Sequence, residues 1–237
     1  MKKIGIIGAM EEEVSILINE MKNSGKVAET GADGLVFHSG KINGTDAVIV
    51  KSGIGKVNAA LCAQRLILQF GVTHIINTGI AGALGGDLRI FDMVVSTDAV
   101  YHDMDAVLFG YKPTQIPGMK VSEFKADAEL VKTAELAFAK VNTVPGRKIL
   151  AGRVATGDQF IADRDKKEHI KEICAPLCVE MEGAAIAHAC FLNGIPYVIL
   201  RCISDMADES VETTYSFNED TAAHESAKIV LEMLSSF

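Results

Sequence analysis

Apolar and polar positions switch between two periods along this chain. Residues 3–8 form a short β-type run ending in Gly8. Beyond three glutamates, Val14, Leu17, Ile18 and Met21 recur at i, i+3, i+4 and i+7, the spacing of an amphipathic helix. A strand therefore feeds a helix. After punctuating glycines at 25 and 31–34, residues 35–40 and 46–51 flank Asn43-Gly44, a strong hairpin signal because both turn residues accept positive φ. Ser52-Gly53-Ile54-Gly55-Lys56 then opens a helix with Val57, Ala60, Leu61, Gln64 and Leu68 down one side and Gly71 at its end.

Residues 73–77 read as a buried strand running into the glycine-rich stretch 78–86, and 93–101 as a strand with polar breaks. Residues 108–120 (LFGYKPTQIPGMK) are the one long segment without periodicity, and a loop of that length in a compact domain usually has a function. Residues 126–141 are helical, Pro145-Gly146 turns the chain into a strand over 148–156, and 157–161 form a second loop before a charged surface helix over 163–173. Residues 183–192 are almost wholly apolar and small, with no polar face, the mark of a buried helix, with Asn193-Gly194 and Pro196 as its stop. Residues 197–203 are apolar apart from Arg201, as in a central strand buried on both faces. Ser216-x-x-Glu219 is a capping box that starts a last helix, with Ala223, Ala227, Val230, Leu231 and Leu234 on its buried face. Strands alternating with helices and hairpins predict a single α/β domain over residues 1–237, a three-layer α/β/α arrangement around a central mixed, twisted β-sheet.

Composition removes several classes of function. Apolar residues make up 49% of the 237, enough for a sizeable core, yet no apolar run reaches the roughly 18 residues of a membrane span. The start resembles a signal peptide, but glutamates 11–13 cut its apolar run short, so a cytoplasmic location is expected. A net charge of −8 and a pI near 5.3, with no long basic run, argue against nucleic acid or an anionic membrane as partner. The five cysteines form an odd set without a C-x-x-C pair and read as buried free thiols rather than a disulfide framework or zinc site.

The chemistry gathers at element ends. Glycine turns follow three strands, at Gly8, at Gly53 and Gly55, and at Gly79 and Gly82. In open α/β sheets ligands sit beyond the carboxyl ends of the strands. None of the three is a nucleotide fingerprint, but together they suggest one ligand pocket, with Gly82 among the substrate contacts. Glu180 and Glu182 stand at the mouth of the buried helix, and Asp205 and Asp208 follow the strand of Arg201. Of Glu11, Glu12 and Glu13, some complement the helix dipole and one would project into the pocket. Carboxylates without metal ligands suit acid–base chemistry with a cationic transition state, as in glycoside hydrolysis. A metal reading of His102-Asp103-Met104-Asp105 lacks matching histidines, so neither metal nor cofactor is expected. Arg201 reads either as part of that site or as a buried ion pair with a nearby glutamate.

Seven segments carry a resemblance: residues 4–13 (IGIIGAMEEE), 51–57 (KSGIGKV), 76–79 (INTG), 101–103 (YHD), 109–111 (FGY), 179–182 (VEME) and 201–205 (RCISD). In this order they resemble the 5′-methylthioadenosine/S-adenosylhomocysteine nucleosidases, of the purine nucleoside phosphorylase-like superfamily. The resemblance implies a nucleoside phosphorylase-like fold and hydrolysis of the adenine N-glycosidic bond in those nucleosides and 5′-deoxyadenosine, in methionine salvage and recycling of S-adenosylmethionine by-products. It casts Glu13 as general base on water and Asp205 as general acid toward adenine N7. Glu182 would hold the ribose hydroxyls, with Met181 beneath the sugar, Ser204 orienting the aspartate, and Arg201 helping to hold the ionised base and the water. Phe160 would stack on adenine and the backbone of Ile161 would read its edge. Met10, Ile54, Phe109 and Phe217 would wall the 5′-alkylthio pocket. Pro117 would come from a neighbouring subunit, making 108–120 part of a homodimer interface. One departure is Ile80, where the family commonly has a serine near the water site. Rival readings are a phosphorylase of the same fold, an aminofutalosine hydrolase, and a nucleoside-binding scaffold without catalysis.

Overall fold

The computed structural model describes residues 2–32, 34–208 and 211–237, the side chains of 32 and 211–217 excepted. In chain order the elements are β1 (Lys3–Gly8), α1 (Glu11–Asn23), β2 (Ala28–Ala32), β3 (Leu35–Ile42), β4 (Thr45–Lys51), α2 (Lys56–Phe70), β5 (His74–Ala83) and β6 (Met93–Tyr101). A short 3₁₀ turn (Val107–Phe109) follows, then β7 (Phe124–Lys125), α3 (Ala128–Val141), β8 (Ile149–Thr156), α4 (Arg164–Cys174), β9 (Cys178–Glu180), α5 (Gly183–Asn193), β10 (Tyr197–Asp205) and α6 (Val211–Leu234).

One mixed sheet runs through these strands in the order β10-β6-β8-β9-β5-β1-β4-β3-β2, with β7 on β6 and a further pairing of β10 with β5. That last pairing closes β5, β10, β6, β8 and β9 into a ring. Strand β5 makes this possible by its ten-residue length. One edge pairs with β1 through His74 to Asn77 and with β9 at Gly82 and Ala83, while the other pairs with β10. The parallel strands β1, β5 and β10 therefore end on one side of the sheet, the side on which α/β proteins bind ligands.

Alternation along the strands builds a core on each face. Ile7, Val48, Val50, Ile75, Ile199 and Ile203 pack with residues of α2 and α5. Their sequence neighbours Ile6, Ile49, Ile76, Val198 and Cys202 pack with α1, α3 and α6. This is the expected three-layer mixed α/β arrangement.

Four details differ from the sequence reading. Strand β5 continues through the glycine-rich stretch to Ala83, where β10 pairs with it as far as Gly82 and β9 pairs with Gly82 and Ala83. Strands β2 and β9 are short and apolar enough only in part, so periodicity misses them. The first turn of α6 begins at Val211, ahead of the capping box at Ser216; the Ser216 side chain lies outside the described residues. Helix α2 buries Ala59, Cys62, Ala63 and Leu66. The stripe read from sequence points outward, with Val57, Leu61 and Leu68 all exposed.

Candidate active site

The site starts from a local capping arrangement. At the start of helix α1, Glu13 in the first turn folds back onto the cap at Met10. Glu13 Oε2 accepts from the Ala9 and Met10 N–H groups at 2.5 and 3.1 Å, satisfying donors that a helix start leaves open. Its Oε1 accepts from the Ile80 N–H at 3.1 Å, tying α1 to β5. Of the three glutamates only Glu13 is buried; Glu11 pairs with Lys51 at the surface, 3.0 Å away.

Beneath Glu13 lies Arg201, 2% exposed in β10. Its Nη2 donates to Asn77 Oδ1 at 2.7 Å and to Glu180 Oε2, and Glu182 Oε2 stands 3.8 Å away. Glu180 is further fixed by the Thr156 hydroxyl and by the N–H groups of Glu182 and Gly183. Arg201 thus has the buried partner that its position demands, and the same cation faces the ligand-side carboxylates. In the strand register Arg201 lies opposite Gly79. A Cβ at Gly79 would run into Glu13 Oε1 and lie 2.8 Å from Arg201 Nη1, so only glycine leaves room for the pair.

Glu182 Oε1 accepts from the Gly55 N–H at 2.8 Å. At the end of β10, Asp205 Oδ2 accepts from the Ser204 hydroxyl at 2.8 Å and Oδ1 from the Ala207 N–H at 2.8 Å. Gly82 lets this carboxylate approach, since a Cβ there would stand 2.8 Å from Asp205 Oδ1.

These groups line one cleft, bounded by Ala9, Met10, Glu13, Ile54, Ile80, Ala81, Gly82, Phe160, Val179, Glu180, Met181, Glu182, Ser204 and Asp205. Nine of the residues named from sequence meet there: Met10, Glu13, Ile54, Gly82, Phe160, Met181, Glu182, Ser204 and Asp205. Arg201 lies behind this lining. Ile161 is buried in a separate cluster with Leu84, Val179 and Ile170, next to Phe160 in the chain. Phe109, 85% exposed, and Pro117 do not line the cleft of this chain. The Phe217 side chain lies outside the described residues. Ile80 is among the residues that bound the cleft and holds Glu13 through its main-chain N–H, a contact that does not depend on which side chain stands at this position. Asn77, quoted only within the 76–79 motif, and Thr156 were given no role: Asn77 stands beside a second polar residue, Thr78, and Thr156 ends a strand that also carries Arg153.

The electrostatics follow from burial. Burial pushes the Glu13 carboxyl above its ordinary value, while Arg201 and the amides of Met10, Ala9 and Ile80 pull it back. Burial likewise raises Asp205, against the Ala207 amide and the Ser204 hydroxyl and helped by Asp208. Glu182, buried beside Glu180, is pushed up to about 8. For Arg201, burial opposes the charge, but Glu180, Glu13 and Glu182 outweigh it and hold the guanidinium protonated. Outside the cleft, Asp103 bonds to Lys56 at 2.5 Å and to the Asp158 N–H at 3.0 Å. Among the described residues no cluster of histidine, cysteine and carboxylate groups is arranged to hold a metal ion.

The raised Glu182 has a measurable consequence. Its folded-state proton is held up to about pH 8, whereas in the unfolded chain it leaves near the ordinary glutamate value of 4.5. Stability from this group is complete below the unfolded value and is lost as pH rises through about 8. Glu182→Gln removes that loss, so its Tm relative to wild type is expected to climb between pH 5 and pH 8.5. Thermal melts across this range check it, and a constant difference would contradict the assignment.

Comparison with known proteins places the chain. The model of the phosphorylase superfamily matches residues 3–235. The 5′-methylthioadenosine/S-adenosylhomocysteine nucleosidase of Geobacillus kaustophilus is 43% identical over 234 residues, 98% of this chain and 97% of that protein. The crystal structure of the nucleosidase of that name from Colwellia psychrerythraea, in complex with adenine, has a TM-score of 0.92 at 38% identity and covers 98% of this chain and 94% of that one. The futalosine hydrolase of Helicobacter pylori has a TM-score of 0.92 at 32% identity, covering 100% of this chain and 98% of that one. Matched over nearly its whole length in sequence and fold, this chain belongs to the phosphorylase superfamily, among its 5′-methylthioadenosine/S-adenosylhomocysteine nucleosidases.

Proposed function

We propose that this protein hydrolyses the N-glycosidic bond of 5′-methylthioadenosine and S-adenosylhomocysteine, releasing adenine and the 5-substituted ribose. The observation that carries the reading is the meeting of Glu13, Glu182 and Asp205, from distant parts of the chain, in one cleft walled by Met10, Ile54, Phe160 and Met181. In this account Asp205 gives its proton to adenine N7 as the C1′–N9 bond breaks. Water attacks C1′ and yields its proton to Glu13, leaving neutral adenine and the free sugar. A proton returned from Glu13 to Asp205 through solvent restores the starting state. Burial suits both roles, because an acid must keep its proton near neutral pH and a base gains strength as its pKa rises toward it. Glu182 holds the ribose hydroxyls, Met181 lies under the sugar, Phe160 stacks on adenine beside the Ile161 backbone, and Ser204 orients Asp205.

A phosphorylase of the same fold would need to seat phosphate beside the ionised base Glu13, with Arg201 already engaged by Glu180. Repulsion between like charges in a buried cleft disfavours that alternative. The likeness to futalosine hydrolase makes aminofutalosine a second substrate to assay.

The exposed apolar stripe of α2, with Leu192 on α5 and Leu108 at 99% exposure, supports a homodimer in which the neighbour's 108–120 loop brings Phe109 and Pro117 to the 5′ end of the cleft. Burying such a patch is the usual fate of large exposed apolar surface. No helix of the described residues is long and apolar enough to cross a membrane, and all five cysteines are free and buried, in keeping with a reducing cytoplasm.

Two experiments test the reading. Wild type is expected to release adenine from methylthioadenosine at full rate in phosphate-free buffer, and Asp205→Asn to lose at least about 100-fold in kcat. Phosphate-dependent turnover, or a near-normal Asp205→Asn rate, would contradict it. Sedimentation of wild type at twice the 25.3 kDa chain mass, and of Leu61→Asp/Leu68→Asp at the single mass with a raised KM, is expected for the dimer. A wild-type monomer would refute that part.

A further inference from the structure

Two successive main-chain N–H groups open α2, and carboxylates from two other elements take them. Gly55 N–H donates to Glu182 Oε1, and Lys56 N–H donates to Asp158 Oδ1, each at 2.8 Å. Asp158 does not line the cleft, yet it stands two residues before Phe160, which does; Ile54, another lining residue, immediately precedes Gly55. Phe160 and Ile54 are both half-exposed at the rim. One hydrogen bond across 102 residues of chain therefore joins the two loops that carry them.

The charges around this bond break a local rule. A lysine in the first turn of a helix opposes the positive end of the dipole. Here the Lys56 ammonium turns back to Asp103 Oδ2 at 2.5 Å and to Asp158 Oδ2 at 3.8 Å. Asp103 Oδ2 also accepts the Asp158 N–H at 3.0 Å. The 157–161 loop is thus gripped by main chain and side chain at the same residue. Gly55 has φ 98°, and a Cβ there would lie 3.2 Å from Asp158 Oδ1, so a side chain at 55 would press on the contact. Where an element departs from local preference and the departure is fully compensated by distant groups, function is a common reason.

We propose that Asp158 is a positioning residue for the nucleoside: by capping α2 at Lys56 and closing onto Lys56 and Asp103, it fixes the separation of Phe160 and Ile54 across the cleft. It sets how tightly the adenine nucleoside is held and leaves bond cleavage to the carboxylates. The inference rests on the nucleosidase reading above. Asp163 provides a control, since it caps α4 from the far side of the same loop, accepting the Lys166 N–H at 2.9 Å, without touching α2.

The test is steady-state kinetics with methylthioadenosine on wild type, Asp158→Ala, Asp158→Asn, Lys56→Met and Asp163→Ala. Asp158→Ala is expected to raise KM about 5- to 10-fold with kcat within about 3-fold, the split for lost binding that is shared by ground and transition states. Asp158→Asn, whose amide oxygen still accepts the Lys56 N–H, is expected to recover most of the loss. Lys56→Met keeps the main-chain bond and loses the ion pairs, and a KM rise of about 3-fold is expected. Asp163→Ala should leave KM unchanged. An unaltered KM in both Asp158→Ala and Lys56→Met, or an equal rise in Asp163→Ala, would overturn the proposal. A wild type that releases no adenine would instead contradict the nucleosidase reading; equilibrium binding of adenine to the same proteins then decides the positioning role, with weakening in Asp158→Ala but not Asp163→Ala expected.

Discussion

Arg201 sits 2% exposed within a β-sheet, where an unpaired charge would cost roughly several kcal/mol in desolvation. Three carboxylates and one amide share that charge: Glu180 and Asn77 by direct hydrogen bonds, and Glu13 and Glu182 through the field. The division of labour matters. Glu180 is saturated by Arg201, Thr156 and two amides, which anchors the guanidinium. Glu13 and Glu182 feel its charge while still bordering the cleft. Remove the anchor and the other two carboxylates face each other in a low dielectric.

The sheet supplies the geometry that this pairing needs. Parallel β1, β5 and β10 end on one side, and the pairing of β5 with both β1 and β10 brings the start of α1 next to the end of β10. Gly79 opens the space between them and Gly82 opens the space beside Asp205. Fold and site are therefore one problem: the long β5 strand closes the ring and also presents the Ile80 amide that steers Glu13. The cost is electrostatic. Several buried carboxyls with raised pKa values destabilise the protein as pH rises, and such perturbed groups cluster at functional sites.

How much of this could be read in the sequence depended on how local each signal was. Strand β1, helix α1, the hairpin at Asn43-Gly44 and the buried pair α5 and β10 are written in short-range periodicity, and the reading found them. Strand β5 was read too short because its glycines look like a loop until β9 and β10 flank them. The outward stripe of α2 has the right period for a helix, but period alone does not say what covers it. At the site, Glu13, Glu182 and Asp205 were legible through their motifs. That Arg201 would take Glu180 and Asn77 as partners was only partly so, because a mid-strand arginine announces a partner without naming it. The Lys56–Asp158 contact spans 102 residues and leaves no local trace beyond a lysine at an unfavourable helix position.

The central claim is that burial raises both Glu13 and Asp205, with the first working ionised and the second protonated. The pH dependence of kcat/KM for methylthioadenosine, measured on wild type in phosphate-free buffer, tests it most directly. The account predicts a bell: activity rises with pH through a value above the ordinary glutamate pKa of about 4.3, then falls as Asp205 loses its proton well above the usual aspartate value of about 3.9. A rate that shows no acidic limb down to pH 4, or one that keeps rising above pH 9, would contradict it.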